Sequence, residues 1–231
     1  MNRLLFFLLT FSFLIFISCN SNEIGDSKDV NPEAIYFDYK IWGDEGNDNL
    51  TIRLQYRFGG KNGTTLTLEN PAKVELDNEL LPVDSTKMTG AFYEIHKPIN
   101  KFNGEHTITF TDVNEKQYKE MFRFQPLKLK TALPDTLKRG KMLLEVGGLD
   151  GEHLVRVTLS DTSFASEGIN RVDTIKNGQI IITEKDLESL VNGPIQLELI
   201  KEEERPVRNG TREGGRFSIS YGLKREFILK D

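Results

Sequence analysis

Residues 50–58 read Leu-Thr-Ile-Arg-Leu-Gln-Tyr-Arg-Phe, in which apolar and polar side chains alternate strictly. Successive side chains of a β-strand point to opposite faces of a sheet, so this pattern predicts a strand with one face in a core and the other in solvent. Residues 34–42 alternate with the same period, and the polar turn 44–49 separates the two segments. The first part of the chain therefore predicts half-buried β-structure.

Short segments of the same kind recur along the chain, separated by turns rich in Gly, Asn and Asp. The further predicted strands cover residues 65–68, 73–76 with 80–81, 92–96, 105–111, 118–124, 142–146, 153–159, 170–176, 179–182, 195–200, 217–221 and 225–229. No helical period is long enough for the crossover that parallel strands require. This spacing predicts antiparallel sandwiches or barrels.

One or two helical turns are predicted at residues 183–191. Thr183 can cap the helix, Asp186 stands three residues later as the capping-box partner, and Asn-Gly-Pro at 192–194 ends it. A helical turn between late strands resembles the connection between the fifth and sixth strands of immunoglobulin-like domains. The resemblance implies an all-β fold of two tandem antiparallel immunoglobulin-like sandwiches.

Two prolines, Pro126 and Pro134, bracket a short extended segment near the middle of the chain. Such segments commonly connect domains. We therefore predict a first sandwich at residues 33–126 and a second at residues 127–231.

The amino terminus has the features of a secretory signal. Residues 4–17 are almost wholly apolar, Arg3 precedes them, and Cys19, the only cysteine of the chain, follows directly. The run is shorter than the roughly 20 apolar residues that a membrane-spanning helix needs. The junction Phe-Ile-Ser-Cys at 16–19 resembles the lipobox of Bacteroidota lipoproteins, although Phe16 stands where Leu is commonest.

This resemblance implies a signal peptide at residues 1–18 that is removed, and a lipid, palmitate included, on Cys19. A buried core cysteine is the alternative. The polar residues 19–32 are predicted to be a flexible tether. Asn20 follows the cysteine, and its resemblance to a known lipoprotein sorting rule favours the outer over the inner membrane. The sequence does not indicate which leaflet holds the lipid or which face of the membrane the protein occupies.

Three short motifs resemble the O-glycosylation sequence of exported Bacteroidota proteins. They place candidate modification sites at Ser85, Thr136 and Thr174, each directly after an aspartate. Asp-Ser and Asp-Thr pairs also favour turns through local hydrogen bonds, which is the alternative explanation.

The sequence shows no pattern typical of a catalytic or metal site. His96, His106 and His153 do not have the spacing of metal ligands on one element, and neither a Gly-x-Ser-x-Gly elbow nor a phosphate-binding Gly loop occurs. Asp44 and Asp48 lie in an oxygen-rich turn that could bind calcium, but no bidentate Glu follows at the required distance, so a solvated turn is favoured. We therefore predict a non-enzymatic protein without catalytic residues, metal or cofactor.

Two surfaces are candidates for binding a partner. If Ile35 and Phe37 face the core, Tyr36 and Trp42 lie on the outward face of the strand, where aromatic rings can stack on a ligand. The alternative for Trp42 is that it folds over a sheet edge or packs against the second half.

The second candidate is the charged, Gly-rich segment 201–216, predicted to be a long loop, with Arg205, Arg208 and Arg212 as binding residues. A solvated hairpin tip is the alternative.

These observations predict a lipid-anchored cell-envelope protein with a binding, adhesion or scaffold role. Its partners would be the membrane, through the lipid, and an envelope protein or glycan. A net charge of −5 without a basic segment disfavours nucleic acid. The alternative function is a carbohydrate-processing enzyme or a hydrolase accessory at the outer membrane.

Overall fold

The computed structural model describes residues 23–149, 151–162, 166 and 168–231. The predicted signal peptide, Cys19 and the start of the predicted tether lie outside these residues. The strands are β1 (Ile24–Asp26), β2 (Ile35–Asp44), β3 (Asn49–Phe58), β4 (Thr64–Thr67), β5 (Lys73–Leu76), β6 (Glu79–Leu80), β7 (Val83–Thr86), β8 (Gly90–Pro98), β9 (Gly104–Thr111), β10 (Gln117–Phe124), β11 (Lys128–Leu129), β12 (Thr136–Lys138), β13 (Met142–Gly147), β14 (His153–Asp161), β15 (Ile169–Ile175), β16 (Gln179–Ile182), β17 (Gly193–Pro206) and β18 (Gly215–Lys230), and the helix α1 is Glu184–Glu188. In this part of the chain, no helix is long and apolar enough to cross a bilayer.

The first half is a sandwich with an aromatic core. One layer contains β7, β8, β3 and β2, and the facing layer has the order β10-β9-β5-β6. The alternating apolar residues of β2 and β3 point inward: Phe37 and Phe110 lie edge to face at 5.0 Å, and Tyr56 stacks on Phe110 at 4.5 Å. Tyr39 and Tyr56 share a buried hydroxyl contact of 3.3 Å, and burial raises the pKa of both. These two tyrosines are therefore neutral, and each buried hydroxyl has the other as its partner.

The second half divides its strands as an immunoglobulin-like sandwich does. Strands β11, β13 and β16 form one layer, and β15, β14, β17 and β18 form the other. Helix α1 connects β16 to β17, where Thr183 and Asp186 form the predicted capping box. The predicted all-β sandwich fold and the helical turn are confirmed.

The two halves share one hairpin, formed by β17, β18 and the loop 207–214. The distal part of β18 pairs with the start of β17, which in turn pairs with β14 of the second half. The first part of β18, residues 215–222, runs parallel to residues 37–44 of β2 in the first half. Within the described residues, the shared hairpin therefore joins both halves into one eleven-stranded sheet. The change of layer at residues 125–127 lies close to the predicted boundary, but the hydrogen-bonded sheet crosses it.

Part of the predicted tether is ordered, so that prediction is wrong for residues 24–32. Strand β1 pairs in parallel with residues 65–67 of β4, and the Ser27 hydroxyl accepts a hydrogen bond from the Glu69 amide at 3.2 Å. The composition of this segment is polar, but β4 has a free edge whose backbone groups gain partners when β1 pairs with it.

The sandwiches are not purely antiparallel, which also departs from the prediction. Strand β1 pairs in parallel with β4, β18 with β2, and β12 with β18. All three contacts join segments that are distant in sequence. Side-chain alternation has the same period in both kinds of sheet, so the sequence pattern contains no information on strand direction.

We expect the shared hairpin to make the halves unfold together. Phe227 is buried in the second half opposite Ile195, and Phe227→Ala should cost about 3–5 kcal/mol through a core cavity. Fluorescence of Trp42, which lies in the first half, should then show the same lowered midpoint as far-ultraviolet circular dichroism. The exposed neighbour Glu226→Ala is the control. If the midpoint seen by Trp42 fluorescence were unchanged while part of the circular dichroism signal was lost at a lower midpoint, the two halves would not be one folding unit.

Candidate functional site

A cleft of about 650 Å³ lies where the two halves meet, and we call it the waist cleft. Its lining residues come from two turns of the first half, the connection between the halves, the segment after β13 of the second half, and the shared hairpin. They are Glu45, Asn47, Asp48, Ile99, Asn100, Asn103, Gln125, Pro126, Leu127, Lys128, Gly148 and Tyr221. Ligand sites typically have volumes of about 300–1,000 Å³ and occur preferentially between domains.

The connection at residues 125–127 forms the floor of the waist cleft. It follows Phe124, whose ring packs edge to face with Tyr221 at 5.8 Å. Gly148 has a φ of +80°, and a side chain there would collide with the Pro126 carbonyl. Behind it, the Lys201 ammonium donates to the Gly148 carbonyl at 3.0 Å. The floor is held by packing and backbone contacts, which fixes the shape of the cleft.

Four of the eight polar side chains that line the waist cleft are neutral amides. Among the described residues, the side chains of Asn100, Asn103 and Gln125 have no hydrogen-bond partner, so their donors and acceptors are available. Asp48 and Lys128 contribute opposite charges. The cleft can therefore bind a polar, uncharged ligand through groups that both donate and accept.

Glu45, the other acid of the cleft, is neutralised by an arginine. The Arg225 guanidinium donates to both carboxylate oxygens of Glu45, one contact being 3.1 Å. This hydrogen bond from Arg225 holds the pKa of Glu45 below its ordinary value of 4.5, despite some burial. Glu45 is therefore ionised at neutral pH and does not have the raised pKa that a general acid requires.

The structure places Tyr36 and Trp42 on the outward face of β2, as the alternation predicts. They lie six residues apart, roughly 20 Å along a strand, so they do not form one aromatic patch. Tyr36 borders a concavity of about 530 Å³ that also includes Lys61, Glu204 and Arg216. Burial and the nearby Asp38 raise the pKa of Tyr36, which keeps its hydroxyl protonated.

Trp42 does not lie at a sheet edge, because β2 is paired on both sides, with β3 and with β18. It lies on the sheet between residues 51 and 220, half-buried, with the Arg53 guanidinium 5.2 Å from the ring centre. Arg53 also contacts the Phe92 ring at 4.6 Å and Glu94 at 2.6 Å. The cation covers the ring and accounts for its burial.

The predicted loop 201–216 is wrong in extent, because most of it continues the two strands. Only residues 207–214 form the connection, and buried Glu120 of β10 fixes it. The Glu120 carboxylate accepts from Arg205 Nη1 at 2.6 Å and from the Arg208 amide at 2.7 Å. At the other end, the Thr211 hydroxyl donates to the Ile35 carbonyl at 2.5 Å. The loop is thus anchored at both ends.

The three candidate arginines have different positions. Arg205 is a structural residue, since it pairs with Glu120 and Glu203 and lies 4.2 Å over the Phe217 ring. Arg205 and Arg208 both border a small cavity of about 220 Å³. The side chain of Arg212 is exposed and does not border that cavity. The backbone amide of Arg212 donates to the Glu33 carboxylate.

The candidate metal residues are not brought together. His96 contacts Thr51, His106 contacts Asp77, and His153 lies on β14. Within the described ranges, no three His, Cys, Asp or Glu side chains form a group that could hold a metal. Asp44 accepts from the Gly46 amide and the Asn47 side chain, which is the hydrogen bonding of a turn. Calcium at Asp44 and Asp48 stays a prediction.

The three candidate modification sites share one kind of position. Ser85, Thr136 and Thr174 are exposed, and each lies on a strand that pairs with only one neighbour: β7, β12 and β15. The hydroxyls are accessible at sheet edges. Their modification stays a prediction.

Sequence reasoning missed the waist cleft. Asn100 and Asn103 follow β8, Gln125 follows β10, and the turn 44–48 follows β2, so these residues are distant in sequence and share no motif. The only signal was the predicted boundary at Pro126, because ligand sites favour the junctions between domains.

No protein-family model matches the chain, and a comparison with curated proteins finds no match. Among solved structures, similar chains include DIP-gamma IG1+IG2 (10% identity, 81% of this chain and 94% of that chain, TM-score 0.23). A bacterial ice-binding adhesin is 8% identical over 87% of this chain and 66% of its own (TM-score 0.25). SGBP-B of the Bacteroides ovatus mixed-linkage glucan utilization locus is 12% identical over 91% of this chain and 46% of its own (TM-score 0.23). Similarity this weak supports no functional conclusion, and the sandwich fold follows from the strand pairing itself.

We expect Glu120 to be essential for the hairpin tip. Glu120→Ala leaves Arg205 partly buried without its main partner, so the free energy of unfolding should fall by about 3 kcal/mol, the range seen for broken buried pairs. Amide exchange in residues 207–214 should also become faster. Glu105→Ala on the exposed face of β9 is the matched control. Equal unfolding energies for the two variants would contradict this role.

Proposed function

We propose that the protein is a lipid-anchored binding protein of the cell envelope, serving adhesion or scaffolding, and that the waist cleft binds a neutral oligosaccharide. The observation that carries the proposal is the open cleft of small net charge, with unpaired amides, at the junction of the two sandwiches. Sugar hydroxyls donate and accept hydrogen bonds, as the amides of Asn100, Asn103 and Gln125 do.

The lining of the waist cleft fits this ligand class in two further respects. Ile99, Pro126 and Leu127 provide apolar surface beside the amides, and bound ligands are generally oriented by a few polar groups against such surface. The charges of Asp48 and Lys128 are opposite, and Glu45 is paired with Arg225. A strongly charged ligand would find little net attraction.

Binding rather than catalysis is favoured by the state of the carboxylates. Hydrolysis of a glycosidic bond commonly requires one carboxylic acid with a raised pKa beside a second carboxylate. In the waist cleft, the lowered pKa of Glu45 opposes the acid role. We therefore propose that a bound sugar is held and not cleaved.

The anchor in this proposal is Cys19, for which the lipobox-like junction at 16–19 is the support. Each CH₂ group of an acyl chain that is buried in the bilayer contributes about 0.8 kcal/mol to membrane binding, so two or three chains hold a protein firmly on a bilayer. The outer membrane is the proposed location, and glycans on Ser85, Thr136 and Thr174 are a proposed modification.

Replacement of the cysteine tests the anchor. Cys19→Ala should abolish incorporation of labelled palmitate, and the protein should be found uncleaved or in the soluble fraction, because the thiol is the acceptor of the lipid. Ser18→Ala, which keeps a small residue before the cysteine, is the control and should still be labelled. Palmitate in the Cys19→Ala variant would disprove acylation at this residue.

Removal of two amides tests the waist cleft. Calorimetric titration with a panel of neutral oligosaccharides should identify a ligand, and Asn100→Ala combined with Asn103→Ala should weaken it by about tenfold, since each neutral hydrogen bond contributes roughly 0.5–1.5 kcal/mol. Asn114→Ala, an exposed amide on another turn, should bind normally.

Fluorescence of Trp42 distinguishes the two candidate surfaces in the same titration. Trp42 is on the outward face of β2, so occupation of the waist cleft should leave its emission unchanged. If the sugar quenched Trp42 and the Asn100 and Asn103 substitutions left its affinity unchanged, the binding site would be the outward face of β2 and not the waist cleft.

A further inference from the structure

The chain enters the first sandwich at the end that is farthest from the second half. Strand β1 runs parallel to β4 from Ile24, which lies opposite Thr65. The turn 59–63, just before β4, and the loop 207–214 lie at this same end, where the Glu213 amide donates to the Glu33 carbonyl at 3.1 Å. We call the turn 59–63, the loop 207–214 and the start of β1 the tether end.

The order of β1 shortens the connection between Cys19 and the folded body. Five residue steps separate Cys19 from Ile24, and an extended chain spans at most about 3.6 Å per residue, hence roughly 18 Å in total. A flexible tether up to residue 32 would have left the orientation of the body open. With β1 paired to β4, a lipid on Cys19 has to lie near the tether end.

Exposed apolar side chains are found at this end. Ile24 is 47% exposed and Phe58, the last residue of β3, is 43% exposed. Nine other large apolar side chains are also exposed among the described residues, so exposure alone does not distinguish this end. Ile24 and Phe58 are relevant because they lie where the chain enters the first sandwich. Aromatic and apolar residues favour the boundary between lipid and water.

Three cationic side chains lie on the turn and the loop of the tether end. Lys61, Arg208 and Arg212 are exposed on the turn and the loop, and their side chains make no ion pair among the described residues. Glu115 and Glu213 lie nearby, so the net charge of this end is small. Basic groups beside exposed apolar ones suit contact with phosphate headgroups, while the lipid on Cys19 supplies most of the affinity.

From these features we infer that the tether end faces the membrane and contacts the lipid headgroups, and that the second sandwich points away from the bilayer. The inference rests on the proposed acylation of Cys19. Ten residues of β2 separate the tether end from the turn that borders the waist cleft, about 33 Å at 3.3 Å per residue. The waist cleft is thereby held away from the membrane surface, where a soluble or surface-linked ligand can reach it.

Tryptophan quenching on vesicles tests the orientation without added labels. The chain from residue 19 onward is coupled through Cys19, its only thiol, to a maleimide lipid in vesicles of phosphatidylcholine and phosphatidylglycerol. Lipids brominated near the headgroup quench nearby tryptophan. The variant Phe58→Trp in a Trp42→Phe background should be quenched more strongly than wild-type Trp42 at the far end of β2. Lys230→Trp in the same background, at the end of β18, should not be quenched.

Equal quenching at positions 58 and 230, or stronger quenching at 230, would overturn the inferred orientation. Equal quenching of residues 58 and 42 would indicate that the sheet lies flat on the membrane and would overturn it as well. The coupled lipid makes the measurement independent of cellular processing. Palmitate labelling of wild-type protein in cells reports acylation separately, and its absence would remove the anchor and with it the biological basis of the orientation.

Discussion

The structure depends on one strand that forms hydrogen bonds in both halves. Residues 215–222 of β18 pair with β2, and the rest of the strand stays paired with β17 into the second sandwich. A single hairpin therefore supplies strands to one layer of each half, and 40 buried apolar residues of the described part of the chain form one continuous cluster. Sandwiches joined only by a linker would be free to move relative to each other, whereas a shared sheet holds these two in one arrangement.

The waist cleft and the tether end are consequences of that arrangement. The cleft exists because the sheet that contains β10 ends at residue 124 and a separate sheet begins with β11 at residue 128. The facing sheet, which contains β2, β18 and β17, continues past this point without a break. The tether end has its shape because the hairpin tip, fixed by Glu120 and Thr211, lies beside Glu33 and the start of β2. The proposed binding site therefore lies near the middle of the molecule, and the proposed attachment point lies at one end.

Much of the local structure was predictable because it depends on neighbours in sequence. The alternation in residues 50–58, the capping box at Thr183 and Asp186, and the division near Pro126 are all local signals. The extent of residues 201–216 was misjudged because a charged composition resembles a loop. These residues are charged because β17 and β18 expose one face there, and Arg205 is accommodated by Glu120, which is distant in sequence.

The sequence by itself determined the all-β class, the positions of most strands and the presence of a single cysteine after an apolar start. These properties follow from the alternation of side chains and the amino-acid composition within each segment, and they do not depend on which other segment it pairs with. Only the tertiary structure decided that β1 pairs with β4, that β18 serves both halves, and that Asn100, Asn103 and Gln125 line one cleft. The physical reason is that pairing between distant strands is selected by the free energy of closing backbone edges and burying a common core, and no local pattern specifies which edges meet.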